Sequence, residues 1–167
     1  MQEINQILFV LFALILLGIY ISTLADKENK ADIYTSHYWR WSLLSRAFGY
    51  ITWGLVPLIG NAFLTLANMM VMSSVLLLAM LFRSWRVPIS KNLEIACVAI
   101  TVIITVWFEV LRQLDDSFKA RLTLVGLFII VAGVWALFEL ILNHRKDKSG
   151  ALKVVIVIVL IQVALTT

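Results

Sequence analysis

The sequence predicts an all-α, polytopic transmembrane helical bundle with five full spans and a truncated sixth. Of its 167 residues, 62% are hydrophobic, well above the share in ordinary globular domains. The apolar residues form continuous runs of about 20 residues, the length a helix needs to cross the hydrocarbon core. These runs do not alternate with a period of two, which excludes a transmembrane β-barrel. Helices therefore remain, because each segment must satisfy its own backbone polar groups in lipid.

Six apolar segments follow one another along the chain, at residues 4–24, 41–59, 62–82, 93–111, 122–142 and 151–167. The polar connector "ADKENKADIYTSHYWR", residues 25–40, follows the first segment, and only "IGN" separates the second from the third. Pro88 in "RSWRVPISKN" is positioned to end one helix before the next begins. The connectors leave no room for a soluble domain, so residues 1–167 are predicted to form a single transmembrane domain.

The last segment is too short for a comfortable span. A helix over residues 151–167 is about 25 Å long, against ~30 Å for the hydrocarbon core. We therefore expect the chain to be a fragment of a longer protein. The first segment has an alternative interpretation as a signal peptide cleaved after "TLA", but "MQEINQ" lacks the Lys or Arg that a secretory leader carries.

The distribution of Lys and Arg predicts that the amino terminus lies outside the cell. Three of these residues fall on the side of the amino terminus, and ten fall on the side of the first, third and fifth connectors. By the positive-inside rule, those three connectors are cytoplasmic. We expect a multi-pass protein of the cell's inner (plasma) membrane.

Composition argues against several functions. The net charge of +4 arises from basic residues at the ends of apolar runs, where membrane surfaces and not nucleic acid explain them. Cys97 is the single cysteine, and His37 and His144 lie far from a second ligand in sequence, so we expect no disulfide, metal or cofactor. None of the common catalytic signatures is present, so we expect this chain to have no enzyme activity.

Four polar residues lie inside apolar segments, where ionisable groups are expensive to bury: Arg46, Asn68, Glu94 and Glu139. An ion pair of Arg46 with Glu139 or with Glu94 would offset the desolvation cost. The alternative, which we favour for the two glutamates, is that each side chain extends to the nearby interface. Asn68 is expected to form a hydrogen bond to a neighbouring helix.

A candidate ligand site lies at the predicted outer end. In "WFEVLRQLDD", Glu109 and Arg112 are three residues apart and share a helix face. Trp107 is close in sequence, and Trp53 and Asn61 should lie near the same surface. Aromatic rings, a guanidinium and a carboxylate around a crevice are suited to bind a small molecule or lipid. The alternative is an interfacial aromatic belt with charges that face the headgroups.

Glycines at positions 49, 54, 60, 126 and 133 are expected to permit close helix approach or bends. Gly126 and Gly133 are seven residues apart on one helix face, which indicates helix packing.

Several weak motifs carry a family resemblance. In "YWRWSLLSRAFGYITWGLVPLIGNAFLTLANMMVMSSVLLLAMLFRSWRVP", a tryptophan opens the second helix, a tight turn follows, "LAN" enters the third helix and "FRSWR" closes it. The later "VLRQLDDSFKARL", with Arg112 and Ser117, is similar to an Arg-containing connector into a fifth helix. In these features the chain resembles the multi-helix membrane sensor modules at the amino terminus of bacterial GGDEF-type diguanylate cyclases and of some sensor histidine kinases.

The resemblance implies a signal-transduction module that receives a signal at the membrane and passes it to a cytoplasmic output domain, often as a homodimer. The sequence contains no GGDEF-like stretch and no phosphoacceptor helix, so any cyclase or kinase activity would belong to residues beyond it. Two alternatives stay open: a small transporter or transporter subunit, for which no inverted repeat is seen, and a structural membrane scaffold protein. The expected partners are the lipid bilayer, a small-molecule or lipid ligand and a second copy of the chain.

Overall fold

The computed structural model describes residues 2–25, 33–114 and 118–146, and all regular structure in these ranges is helical. The five helices are α1 (Gln2–Ala25), α2 (Ile33–Ile59), α3 (Phe63–Ser84), α4 (Lys91–Gln113) and α5 (Phe118–Lys146). Each contains a stretch long and apolar enough to cross a membrane, by length and composition. The five predicted spans are confirmed at that level, whereas the predicted sixth segment, 151–167, lies outside the described residues.

The predicted start of the second helix is wrong. We expected a polar connector over residues 25–40, but α2 begins at Ile33. This mostly polar stretch contains two aromatic side chains, Tyr38 and Trp39, that pack against the apolar core of the bundle. This packing stabilises a helical turn that the local hydropathy does not predict, because tertiary contacts supply most helical stability in proteins.

Helices α2 and α3 form a tight antiparallel hairpin. Gly60 ends α2 with a φ of 101°, a conformation that suits glycine, and its N–H donates to the Val56 carbonyl at 2.8 Å. Gly49 then brings the two helices together, because a Cβ at that position would lie 2.8 Å from Val71 Cγ2 and 3.2 Å from the Ala67 carbonyl oxygen.

Hydroxyl groups reinforce the hairpin. Ser42 and Ser45 on α2 donate to the carbonyl oxygens of Ser74 and Met70 on α3, each at 2.8 Å. Serine fits such an interface because its small side chain allows close approach and its hydroxyl satisfies a backbone acceptor.

Helix α3 is central, since it contacts α2, α4 and α5. Its carboxyl end is joined to that of α5 by Asn143, whose side-chain amide donates to the Phe82 carbonyl at 2.7 Å. The largest apolar core surrounds α3 and includes Met72, Val75, Leu76, Met80, Phe108 and Phe128.

Helices α1 and α4 lie at the periphery. Among the described helices α1 contacts only α2, with the Phe9 ring 5.3 Å from that of Trp53 and the Arg40 side chain donating to the Thr23 carbonyl at 2.7 Å. Helix α4 buries only Cys97, Thr101 and Phe108 among its residues, and much of its remaining surface is exposed and apolar, as a lipid-facing surface would be.

The alternating helix directions define two ends of the bundle. The "Glu139 end" holds the carboxyl ends of α1, α3 and α5 and the amino ends of α2 and α4. The "Glu109 end" holds the turn between α2 and α3, the carboxyl end of α4 and the amino end of α5. The charge count predicts that the Glu139 end is cytoplasmic, and this orientation stays a prediction.

Candidate functional site

Glu109 and Arg112, both predicted as site residues, form a bidentate ion pair on α4. Arg112 Nε donates to Oε2 of Glu109 at 2.8 Å, and a terminal Arg112 nitrogen donates to Oε1 at 2.6 Å. Gln113 adds a third donor to the same carboxylate at 3.1 Å. About a third of the Glu109 side chain and a quarter of the Arg112 side chain remain accessible. The guanidinium is therefore directed back to its own helix.

The Glu109 carboxylate also joins two helices. Thr65, in the first turn of α3, donates its hydroxyl to Oε2 of Glu109 at 2.5 Å. Sequence reasoning missed Thr65, because one threonine near the start of an apolar helix gives no signal of its partner. The contact fixes the end of α4 to the start of α3.

The other predicted ligand residues do not converge on this ion pair. The Trp53 ring packs at a tilt against Phe9 of α1, and Trp53 also borders an internal cavity. Asn61 is exposed in the turn between α2 and α3. Trp107 is 59% exposed, whereas the adjacent Phe108 is 3% exposed and faces the bundle interior. From the sequence we expected one crevice lined by all five residues. The structure does not form this crevice.

The Glu109 end contains a mostly apolar cavity of about 300 Å³, which we call the Arg121 cavity. It lies among α2, α3, α4 and α5, and its walls include Trp53, Leu64, Asn68, Phe108, Phe118 and Arg121. Among the described residues that line it, Arg121 alone is charged, and the sequence analysis used this residue for charge counting only.

A second cavity, of about 420 Å³, lies at the Glu139 end between α2, α3 and α4, and we call it the Tyr38 cavity. Its polar border is the hydrogen bond that Tyr38 donates to Oε1 of Glu94 at 2.5 Å. This bond joins the amino ends of α2 and α4. Met80, Cys97 and Val98 supply part of the apolar wall.

Glu139 is buried and satisfied, contrary to the expectation that it extends to the interface. Its side chain is 1% exposed. One carboxylate oxygen accepts from Arg83 at 3.0 Å, and the other accepts from Arg86 at 2.7 and 3.2 Å. Trp135 Nε1 lies a further 3.4 Å from Oε1. Two arginines that were assigned to a connector therefore neutralise a carboxylate inside the bundle.

Neither of the two ion pairs considered for Arg46 is formed among the described residues. Within the described ranges, Glu139 pairs with Arg83 and Arg86 and Glu94 bonds to Tyr38, so neither carboxylate reaches Arg46. Arg46 Nε instead donates to the hydroxyl of Ser74 at 3.0 Å. A cation in the middle of α2 is thus held by a neutral oxygen on α3.

Among the described residues, the Asn68 side chain does not donate the expected hydrogen bond to a neighbouring helix. Its amide nitrogen donates to the Leu64 carbonyl of its own helix at 2.7 Å. The amide lies at the wall of the Arg121 cavity. A hydrogen bond to a carbonyl of its own helix satisfies a polar side chain without any partner on a neighbouring helix. A polar residue in an apolar run therefore does not by itself identify a contact between helices.

The part of the chain that the structure describes contains no cluster of three or more His, Cys, Asp or Glu residues suited to hold a metal. Comparisons with protein-family models, curated proteins and solved structures give no match. The resemblance to sensor modules therefore stays a prediction, and functional inference rests on the geometry.

Proposed function

We propose that the chain is a membrane-embedded sensory module that passes a signal to a cytoplasmic output domain such as a diguanylate cyclase. The observation that carries this proposal is the attachment of α4. Two side-chain hydrogen bonds, from Tyr38 to Glu94 and from Thr65 to Glu109, join α4 to the rest of the bundle near its two ends. Cavities lie beside both attachments.

Helices α2, α3 and α5 form a firmer unit. The α2–α3 interface has a glycine contact at Gly49 and two serine hydrogen bonds, and α3 and α5 are joined by the ion pairs of Glu139. A peripheral helix against such a unit is suited to two alternative packings, the kind of element that a signal can bias.

The energy scale fits a switch. A hydrogen bond between transmembrane helices contributes about 0.6–1.7 kcal/mol. Two such bonds can be offset by a ligand or by a change in the bilayer that favours one position of α4 by a few kcal/mol. Since α4 is followed directly by α5, a displacement of α4 at the Glu109 end pulls on the amino end of α5. Helix α5 then carries the change to the Glu139 end, on the side predicted to be cytoplasmic.

The first measurement is to read the native gene beyond the codon for Thr167. A continuing frame that encodes a soluble signalling domain supports the proposal and identifies the output. A stop codon at that position overturns it. Substrate flux in proteoliposomes that contain only this chain would identify a transporter instead.

A pair of matched variants then tests the role of α4. In the full-length protein in nanodiscs, Thr65→Val removes the bond to Glu109, and we expect the output activity to change about 3- to 18-fold. The control is Thr105→Val, because Thr105 donates only to the Thr101 carbonyl of its own helix at 2.7 Å. Equal outputs in the wild type and in both variants would refute the role of the Thr65 attachment.

A further inference from the structure

Among the described residues, the lining of the Arg121 cavity combines an apolar interior with one cation, Arg121. Leu64, Phe108 and Val125 are among the side chains that line it, and Val125 and Phe108 are themselves buried in the bundle core. Its volume, about 300 Å³, is at the small end of the range of ligand pockets. Such a space encloses part of one acyl chain, and not a two-chain lipid as a whole.

Arg121 is the part of this site that is incomplete. Its guanidinium carbon lies 5.9 Å from the centre of the Phe118 ring, within reach of a cation–π contact. Its Nε is buried and has no hydrogen-bond partner among the described residues. Arg112, at the same end of the bundle, by contrast donates from two of its nitrogens to Glu109. A buried donor without an acceptor is costly, so an acceptor supplied by a ligand would complete the site.

We propose that the Arg121 cavity binds an anionic amphiphile, a carboxylate or phosphate group carried on an acyl chain. The forked donors of arginine match the oxygens of both anions. The position of Arg121 in the first turn of α5 adds the positive end of the helix dipole. The apolar wall of the cavity accommodates the acyl chain. A small hydrophilic anion would leave this apolar space unfilled.

Binding of this ligand stands on the cavity itself, while its use as a signal rests on the proposed function. The cavity is bordered by Phe108 of α4 and by Phe118 and Val125 of α5. An occupant therefore contacts both the helix that we propose to move and the helix that follows it.

Photochemical labelling tests the binding directly. The full chain is placed in phosphatidylcholine nanodiscs and titrated with a fatty acid that bears a diazirine, and the cross-linked residues are mapped by mass spectrometry. We expect saturable labelling within residues 64–68 and 118–129, with competition by unlabelled oleate. Competition by phosphatidylglycerol in the nanodisc would identify a phospholipid headgroup as a second source of the anion, and its absence would identify the free carboxylate.

Three variants make the result specific. Arg121→Gln should raise the half-saturating concentration about tenfold or more, because it removes a charged hydrogen bond. Lys119→Gln is the matched control, since Lys119 is exposed two residues away, and should stay within twofold of the wild type. Gly126→Leu should abolish saturable labelling by filling the cavity: a Cβ at Gly126 meets nothing within 4 Å, and leucine favours the helix.

Labelling that does not saturate, or that is equal in the wild type, Arg121→Gln and Gly126→Leu, would overturn the proposal. Because the assay uses no output domain, this result leaves the sensory function intact. Saturable binding without any effect of the ligand on output in the full-length protein would instead confirm the site and refute its use as a signal.

Discussion

Replacing Glu139 with glutamine should weaken the bundle at a specific place. The substitution keeps the size of the side chain, but it removes the negative charge that binds Arg83 and Arg86 at 3.0 and 2.7 Å. It also replaces an acceptor oxygen with an NH₂ group, so one of the two oxygens can no longer receive a bond from an arginine.

The expected loss follows from burial. Removal of one partner of a fully buried ion pair typically costs about 3–5 kcal/mol. Here Glu139 is 1% exposed, whereas 34% of Arg83 and 23% of Arg86 are accessible, so the arginines can regain some solvation. We therefore expect Glu139→Gln to reduce the free energy of unfolding by about 2–3 kcal/mol, below the value for a pair buried on both sides.

Reversible unfolding in mixed micelles, by titration with SDS, measures this loss. Lys91→Gln is the control, because Lys91 is exposed and its change should stay within about 0.5 kcal/mol. Combining Glu139→Gln with Arg86→Gln should give a coupling energy of about 2 kcal/mol, since both single changes remove the same contact. A loss below about 0.5 kcal/mol in Glu139→Gln, or additive effects in the double variant, would refute this reasoning.

Three further substitutions test the packing of α2, α3 and α1. Gly49→Ala should destabilise the α2–α3 hairpin by about 1–3 kcal/mol in the same SDS titration, because its Cβ would lie 2.8 Å from Val71 Cγ2. Gly18→Ala is its matched control, because a Cβ at Gly18 meets nothing within 4 Å. This substitution should be neutral or should stabilise α1 by up to about 1 kcal/mol. Equal losses of stability in both variants would contradict a close α2–α3 contact. Ser74→Ala removes the acceptor of Arg46 Nε, and we expect the free energy of unfolding to fall by about 1–3 kcal/mol. An unchanged midpoint of the SDS titration would show that Arg46 finds another acceptor.

Hydropathy predicted the number and approximate limits of the five described helices, because span length and apolar composition are local properties. It failed at residues 33–40, where Tyr38 and Trp39 are helical through contacts with distant residues. It also misjudged Gly126. We expected a packing contact there, but the space beside Gly126 is open, and the residue lines the Arg121 cavity.

Partners between helices could not be predicted from one sequence. Arg83 and Arg86 read as connector charges, and only the parallel arrangement of α3 and α5 brings them to Glu139. The pair of Glu109 with Arg112 could be predicted, because residues at positions i and i+3 share a helix face. Thr65, which also donates to the Glu109 carboxylate, lies on another helix and could not be predicted. The incomplete site at Arg121 likewise depends on four helices, none of which shows it alone.

The short turn at Gly60 has a consequence for how the protein assembles during synthesis. Helices α2 and α3 are adjacent in sequence, so their interface can form as soon as both have entered the bilayer, with little loss of loop entropy. Glu139 enters much later, on α5. Until then Arg83 and Arg86 have no access to that carboxylate and must be solvated by water or lipid headgroups at the membrane surface. The arrival of α5 therefore exchanges fully solvated arginines for ion pairs with a buried carboxylate, so we expect the α3–α5 contact to form after the α2–α3 hairpin.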